Sequence, residues 1–126
     1  MKKVFVLLLV MVSFLSLAGC KRLKNREYAG TYELYYMSGS FSLSDFEYYT
    51  ITLEKNGDCK IASKSPYNSQ VYSATATYEV EDGKIYIYSK VGGATVTEVY
   101  DYVDGEIHML NQNLYGYTFT AKFKRK

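Results

Sequence analysis

The chain has 126 residues, with 15 basic and 13 acidic side chains and a net charge of +2 at pH 7. Lys2 and Lys3 account for this excess, so the remainder is balanced and gives no sign of the basic face that nucleic-acid-binding domains carry. Two cysteines, Cys20 and Cys59, are too few for the disulfide framework of many small secreted domains. Fifteen tyrosines, six phenylalanines and a single proline are typical of a chain rich in β-strands.

The first nineteen residues have the pattern of a secretory signal. Lys2 and Lys3 precede an apolar run over residues 4–18, shorter than the roughly 20 residues that a membrane-spanning helix needs. The run ends in Leu17-Ala18-Gly19-Cys20, which resembles the lipobox of bacterial lipoproteins. The resemblance implies that residues 1–19 are removed and that Cys20 becomes an acylated first residue carrying fatty acids such as palmitate. The alternative is an uncleaved anchor helix.

Residues 20–27 form a short basic tether in this interpretation. Four cations follow Cys20: Lys21, Arg22, Lys24 and Arg26. Cations near an anionic membrane surface each contribute on the order of 1 kcal/mol of attraction. The expected partner is therefore the lipid bilayer. The expected location is outside the cytoplasm, lipid-anchored to a bacterial cell membrane and held close to it.

Residues 28–126 form the expected folded domain, which the sequence divides into hairpins. Asn56-Gly57, Asp82-Gly83 and Asp104-Gly105 each predict a type I′ turn between two strands. Looser connections are expected at residues 64–70, 91–94 and 111–113. The predicted strands are 30–37, 46–55, 58–63, 71–81, 84–90, 95–103, 106–110 and 114–124.

Alternation of apolar and polar side chains assigns the strand faces. Ile51 and Leu53 share one face with Tyr49, and period-two patterns of this kind indicate antiparallel strands over one core. The Asn56-Gly57 turn predicts that Cys59 faces inward while Lys60 faces water. Eight strands in sequential order predict an all-β, antiparallel up-and-down barrel, which removes the exposed sheet edges. An open β-sandwich is the alternative.

The chain also resembles the lipocalins over most of residues 28–125. Lipocalins begin their first strand with Gly-x-Trp and place a basic residue of the last strand over the tryptophan ring. Here Gly30-Thr31-Tyr32 stands at the start, with Lys122, Lys124 and Arg125 at the end. The resemblance implies a lipocalin-like barrel in which one of these cations closes one end over Tyr32.

The sequence carries no recognisable catalytic motif. His108 is the single histidine, and the triads and most zinc sites need histidine with partners. Asp104 and Glu106 lie near a turn without the spacing of a calcium loop. We therefore expect a protein that is not an enzyme and that holds no metal or cofactor.

The expected role is binding. A small apolar or amphipathic ligand would lie inside the barrel, where small alanines leave room and aromatic rings line the wall; the candidate residues are Tyr49, Ala74, Ala76, Tyr78 and Tyr117. Tyrosine also suits protein interfaces because it combines apolar area with a polar tip. The alternatives are thus a protein-binding module or inhibitor that uses outward tyrosines, or a structural protein of the cell envelope.

Overall fold

The computed structural model describes residues 25–126. The predicted signal peptide, Cys20 and residues 21–24 lie outside this range. Eight strands follow one another along the chain: β1 (Gly30–Gly39), β2 (Tyr48–Leu53), β3 (Asp58–Lys64), β4 (Val71–Glu81), β5 (Lys84–Val91), β6 (Ala94–Val103), β7 (Glu106–Leu114) and β8 (Tyr117–Arg125). A short 3-10 helix, Leu43–Asp45, lies between β1 and β2.

The strands form a closed barrel. Each strand pairs antiparallel with the next, and β1 pairs with β8. The prediction of an eight-stranded up-and-down barrel is thereby confirmed, and the sandwich alternative is wrong. Sequential hairpins explain this topology, because short turns leave each strand beside its predecessor. The architecture is consistent with a lipocalin-like fold.

Two of the predicted type I′ turns are present. Asp82 and Gly83 have φ angles of 52° and 72°, and Asp104 and Gly105 have 53° and 76°. The turn at Asn56 is different, since only Gly57 of this pair has a positive φ, 96°. The Gly57 amide donates to the Glu54 carbonyl, and the Glu54 amide donates to the Asp58 carbonyl. This is the longer turn that ends in a glycine bulge, and its extra residue pairs Leu53 with Cys59, whereas the predicted two-residue turn would pair Glu54 with Cys59.

The prediction of a connection at residues 111–113 is wrong. β7 continues to Leu114, and the turn falls at Tyr115 and Gly116, whose φ angles are 52° and 87°. The strand passes the expected break through a bulge between Met109 and Gln112, where Asn111 has a φ of 50°. A bulge tolerates asparagine because its short polar side chain is compatible with the left-handed region.

The core lies in one half of the barrel. Its buried members are Tyr32, Ile51, Leu53, Cys59, Tyr78, Ile85, Ile87, Ile107, Met109, Ala121 and Phe123. Cys59 is fully buried and Lys60 is exposed, which confirms the predicted faces of β3. Burial raises the pKa of the Cys59 thiol to about 12. At neutral pH the group is therefore an uncharged part of the core.

Residues 25–28 are helical and lie against the barrel. The Tyr78 hydroxyl is 3.5 Å from the Asn25 carbonyl oxygen and donates to the Glu54 carbonyl at 2.8 Å. The chain therefore enters the barrel at the end that holds the turns after β2, β4 and β6. Within the described residues, no helix has the length and apolar character needed to cross a membrane.

Candidate functional site

One end of the barrel is closed by a hydrogen-bonded group of aromatic and basic side chains. We call Tyr28, Tyr32, Tyr102 and Arg125 the closed end. The Tyr32 hydroxyl donates to the Tyr28 carbonyl oxygen at 2.7 Å. Because that hydroxyl has one proton, Tyr102 at 2.8 Å and the Arg125 guanidinium at 2.7 Å must donate to it. Tyr32 is fully buried, and its polar atom is satisfied on all sides.

Arg125 is the cation that lies over Tyr32, with its guanidinium carbon 5.3 Å from the ring centroid. Lys122 and Lys124, the other two candidates for barrel closure, lie over Tyr36 and Tyr35 at 5.1 and 5.0 Å. Side chains alternate between the two faces of β8, which explains the difference. Arg125 lies on the inner face with Phe123, whereas Lys122 and Lys124 face outward.

Gly30 completes the closed end. Its φ is 150°, and a Cβ atom there would lie 3.1 Å from the Arg125 Cδ. The absence of a side chain therefore leaves space for the arginine to reach Tyr32. The Arg125 guanidinium also donates to the Glu27 carbonyl at 2.8 Å, which ties the entering chain to the last strand.

The opposite end of the barrel is open. Here inward-facing residues are exposed, although their neighbours further down the same strands are buried. We call this group the mouth: Tyr72, Val96, Glu98, Leu114 and Tyr117. Tyr72 is 66% exposed and Tyr117 is 58% exposed. Solvent thus reaches the inner face of the barrel at this end.

The wall of the barrel also parts at the mouth. β6 pairs with β7 over Asp101–Val103, and within the described chain the ladder ends there. Residues 94–100 continue beside β5, whereas β7 continues beside β8. The gap between these strands exposes the inward-facing Val96 on β6, so the inner face is accessible from the side as well as from the end.

Aromatic rings lead from the mouth toward the core. The ring of Phe46 lies 5.4 Å from that of Tyr49, which lies 5.0 Å from Phe123 in the core. On the other side, Phe41 lies 5.8 Å from Tyr117 and 5.6 Å from Phe119. These edge-on and tilted contacts give the mouth an apolar, aromatic wall.

The five predicted ligand-binding residues occupy different levels of the barrel. Tyr117 belongs to the mouth, and Tyr49 and Ala74 are half-buried just below it. Ala76 is half-buried opposite Cys59. Tyr78 is buried near the closed end, where its hydroxyl is satisfied by Glu54. The structure therefore brings Tyr49, Ala74 and Tyr117 toward the mouth, whereas Tyr78 is part of the core.

Of the mouth residues, only Tyr117 was predicted as a site residue. Four were not predicted: Tyr72, Val96, Glu98 and Leu114. Glu98 is the charged one among them. The register places it opposite the buried Ile87, so its side chain faces inward. Tyr100, on the same face, donates a hydrogen bond to its carboxylate. The pKa of Tyr49 is raised to about 12. Burial is the largest cause, followed by electrostatic interactions with Glu98 and with Tyr72. Burial and the hydrogen bond to Glu98 raise the pKa of Tyr100 as well.

A signal for Glu98 was available in the sequence. Gly92 and Gly93 form a two-residue turn, with φ angles of 58° and 84°. A two-residue turn at this position fixes the register of β5 and β6, and that register sets Glu98 opposite Ile87.

A pocket of about 630 Å³ lies on the outer side of the wall, where β4 and β5 diverge beyond Thr77 and Tyr88. Its lining consists mainly of hydroxyl-bearing and charged residues: Asp58, Lys60, Thr75, Thr77, Tyr88, Ser89, Lys90 and Thr95, with Cys59 and Ala76 between them. Most of these residues face outward, and the inward-facing Cys59 and Ala76 line the pocket only where the two strands part. It differs from the enclosed apolar cavity that is typical of lipophilic ligands.

His108 belongs to an outer-face cluster rather than to the barrel interior. Its Nε2 lies 2.9 Å from a Glu106 carboxylate oxygen, which also accepts a hydrogen bond from Tyr35. These two contacts hold the pKa of Glu106 below its usual value, with Tyr35 the larger cause. Among residues 25–126, no group of three or more histidine, cysteine, aspartate or glutamate side chains is arranged to hold a metal ion.

No protein-family model matches the chain, and no curated protein matches it significantly in sequence. The geometry of the two barrel ends is therefore what indicates a function.

Proposed function

We propose that this protein is an extracytoplasmic lipoprotein, anchored to a bacterial membrane by acylated Cys20, whose barrel binds a small apolar or amphipathic ligand at the mouth. The observation that carries the proposal is the exposure of inward-facing aromatic side chains at one end of a barrel that is closed at the other. Exposed apolar surface in a concave position is where ligands bind most often.

The position of the tether supports an orientation for the anchored protein. Residues 25–28 lie at the closed end, and four residues separate Cys20 from Asn25. The five Cα–Cα steps between them reach at most about 18 Å when the chain is extended. In this proposal the closed end faces the membrane, and the mouth faces away from it toward diffusing ligands.

A change of Cys20 to alanine is expected to abolish acylation and to leave the precursor unprocessed. The thiol is the acceptor of the lipid in the lipobox reading, and alanine has no nucleophile. Incorporation of a labelled fatty acid in the producing cells measures the effect. Cys59→Ala is the control, since Cys59 is buried in the barrel and the variant should label normally. Labelling that persists in Cys20→Ala would refute the anchor.

Ligand binding is tested by filling the space below the mouth. Ala74→Phe is expected to weaken binding roughly tenfold, because overpacking typically costs about 1–3 kcal/mol. Native mass spectrometry of the protein released from its own membrane would measure the fraction that carries a ligand mass. The control is Thr75→Phe, which adds the same ring to the outer face of the same strand. Wild-type protein that carries no added mass would contradict the proposal.

A second candidate function, binding of a protein partner, is favoured by the loops around the mouth. Tyr67 is 81% exposed on the β3–β4 loop, and Tyr115 is 94% exposed at the β7–β8 turn. Both stand at the mouth end of the barrel, where a partner could contact the two rings together. A partner docked there would protect both rings from chemical iodination, whereas a ligand inside the barrel would leave both reactive.

A further inference from the structure

The mouth has a specific electrostatic character. Glu98 is the one carboxylate that the register places on the inner face of the described strands. None of the ion pairs between described residues includes it. The inward-facing cation of the barrel, Arg125, is at the closed end and is occupied by Tyr32 and Tyr102. The mouth therefore carries a negative charge without a basic partner.

Aromatic rings surround this charge. Tyr100 donates to the Glu98 carboxylate. Tyr49 pairs with Ser63, which pairs with Tyr72, so all three side chains share the inner face. Electrostatic interactions connect Tyr49 with Tyr72, with Glu98 and with Tyr100. Three tyrosine rings and one carboxylate thus gather in the same part of the barrel.

This combination has a definite chemical preference. The faces of aromatic rings attract cations, and aromatic cages recognise quaternary ammonium groups. The carboxylate adds a full negative charge, which attracts a cation and repels an anionic head group. Tyr49 and Tyr100 are protonated at neutral pH, as tyrosines ordinarily are, and burial raises their pKa values further, so their hydroxyls add no charge of their own.

We propose that the mouth selects amphiphiles with a quaternary or protonated ammonium head, with Glu98 as the counter-ion and Tyr49, Tyr72 and Tyr100 around the head group. The inference rests on the proposed ligand-binding function and specifies its ligand class. The apolar chain would lie along the aromatic wall, toward Phe46 and Tyr49.

Three probes distinguish the effect of head-group charge from that of apolar contact, because they share a six-carbon scaffold and differ in charge: hexyltrimethylammonium, 1-hexanol and hexanoate. The full chain is placed in phosphatidylglycerol nanodiscs, and the apparent Kd is measured by NMR titration of the probe signals. Wild-type and variant proteins are compared in identical discs, and each probe is also titrated into discs without protein, so that its partition into the anionic lipid is subtracted. Wild-type protein is expected to bind the ammonium probe roughly tenfold more tightly than hexanol, the scale of one cation–π contact with one exposed ion pair.

Glu98→Gln should lower the ratio of ammonium to hexanol affinity, because the ion pair is lost while the tyrosine rings remain. Glu81→Gln is the matched control. Glu81 is an exposed carboxylate at the end of β4 that is distant from the mouth, so this variant should keep the preference for the ammonium probe. Tyr72→Leu gives a second test: leucine keeps apolar surface but has no aromatic face for a cation, so the affinity for the ammonium probe should fall more than the affinity for hexanol. Thermal unfolding of each variant confirms that it is folded.

The outcomes separate the two proposals. Equal affinities for the ammonium probe and hexanol, unchanged in Glu98→Gln, would overturn the charge selectivity and leave ligand binding standing. Tighter binding of hexanoate would overturn the selectivity as well. Failure of all three probes to bind would overturn the ligand-binding function together with the inference.

Discussion

Replacing Tyr32 with alanine is expected to lower the free energy of unfolding by about 3–5 kcal/mol, the range for truncation of large buried aromatic side chains. The ring is fully buried among core residues, and its hydroxyl connects three parts of the chain. Without it, the Tyr28 carbonyl loses a donor and Arg125 loses the ring beneath its guanidinium. Urea denaturation followed by circular dichroism would measure the loss.

Two further variants divide this effect into its causes. Tyr32→Phe retains the ring and removes the hydroxyl, so it should cost about 1–3 kcal/mol, the range for leaving buried polar partners unsatisfied. Tyr117→Ala removes a ring of the same size from the mouth and should change stability by no more than about 0.5 kcal/mol, as exposed substitutions usually do. If Tyr32→Ala cost less than about 1 kcal/mol, Tyr32 would not be the buried centre of the closed end.

The sequence predicted the barrel well because its hairpins are specified locally. The dipeptides Asp82-Gly83 and Asp104-Gly105 adopt the turn that their residue types favour. Each such turn fixes a register, and the apolar alternation then assigns the faces. Cys59 is inward for a different reason, because the extra residue of the turn before it pairs Cys59 with Leu53 rather than with Glu54; the predicted face is correct although the predicted turn is not.

The choice of Arg125 among the three terminal cations was also within reach. Ala121 and Phe123 face inward, and side chains alternate between the two faces of a strand. Arg125, two residues after Phe123, therefore faces inward as well, whereas Lys122 and Lys124 face outward. The lipocalin resemblance indicated only that one of the basic residues near the end of the chain would lie over Tyr32. The alternation within β8 decides which residue reaches the ring.

The open half of the barrel was harder to predict. The bulge at Asn111 shifts the β7–β8 turn to Tyr115, and nothing in the local pattern distinguishes a bulge from a loop at an asparagine. The parting of β6 from β7 depends on where the ladder ends, which follows from the twist and offset of the whole barrel. The exposure of Glu98 follows from that parting.

The two ends therefore differ in whether their polar side chains have partners within the barrel or are accessible to solvent. At the closed end, the polar atoms of Tyr32 and Tyr78 have partners within the barrel, which stabilises the fold. At the mouth, Tyr72 and Glu98 remain accessible, and their exposure is compatible with binding. The ladder between β1 and β8 connects the two halves, so a defect in it should affect the whole barrel.

Gly39→Ala introduces such a defect and is expected to lower the free energy of unfolding by about 2–5 kcal/mol, the sum of backbone strain and overpacking. Gly39 has a φ of 97°, and a Cβ atom there would lie 2.4 Å from the Thr118 carbonyl oxygen. That oxygen accepts a hydrogen bond from the Ser40 amide at 2.8 Å, so it cannot move without opening the β1–β8 ladder.

Gly93→Ala is the matched control, since Gly93 also has a positive φ, 84°. Among the described residues, no atom beyond its chain neighbours would lie within 4 Å of the new methyl group. Strain alone should then cost about 1–2 kcal/mol. Equal losses in the two variants, measured by urea denaturation, would show that the contact with Thr118 does not constrain the closure of the barrel.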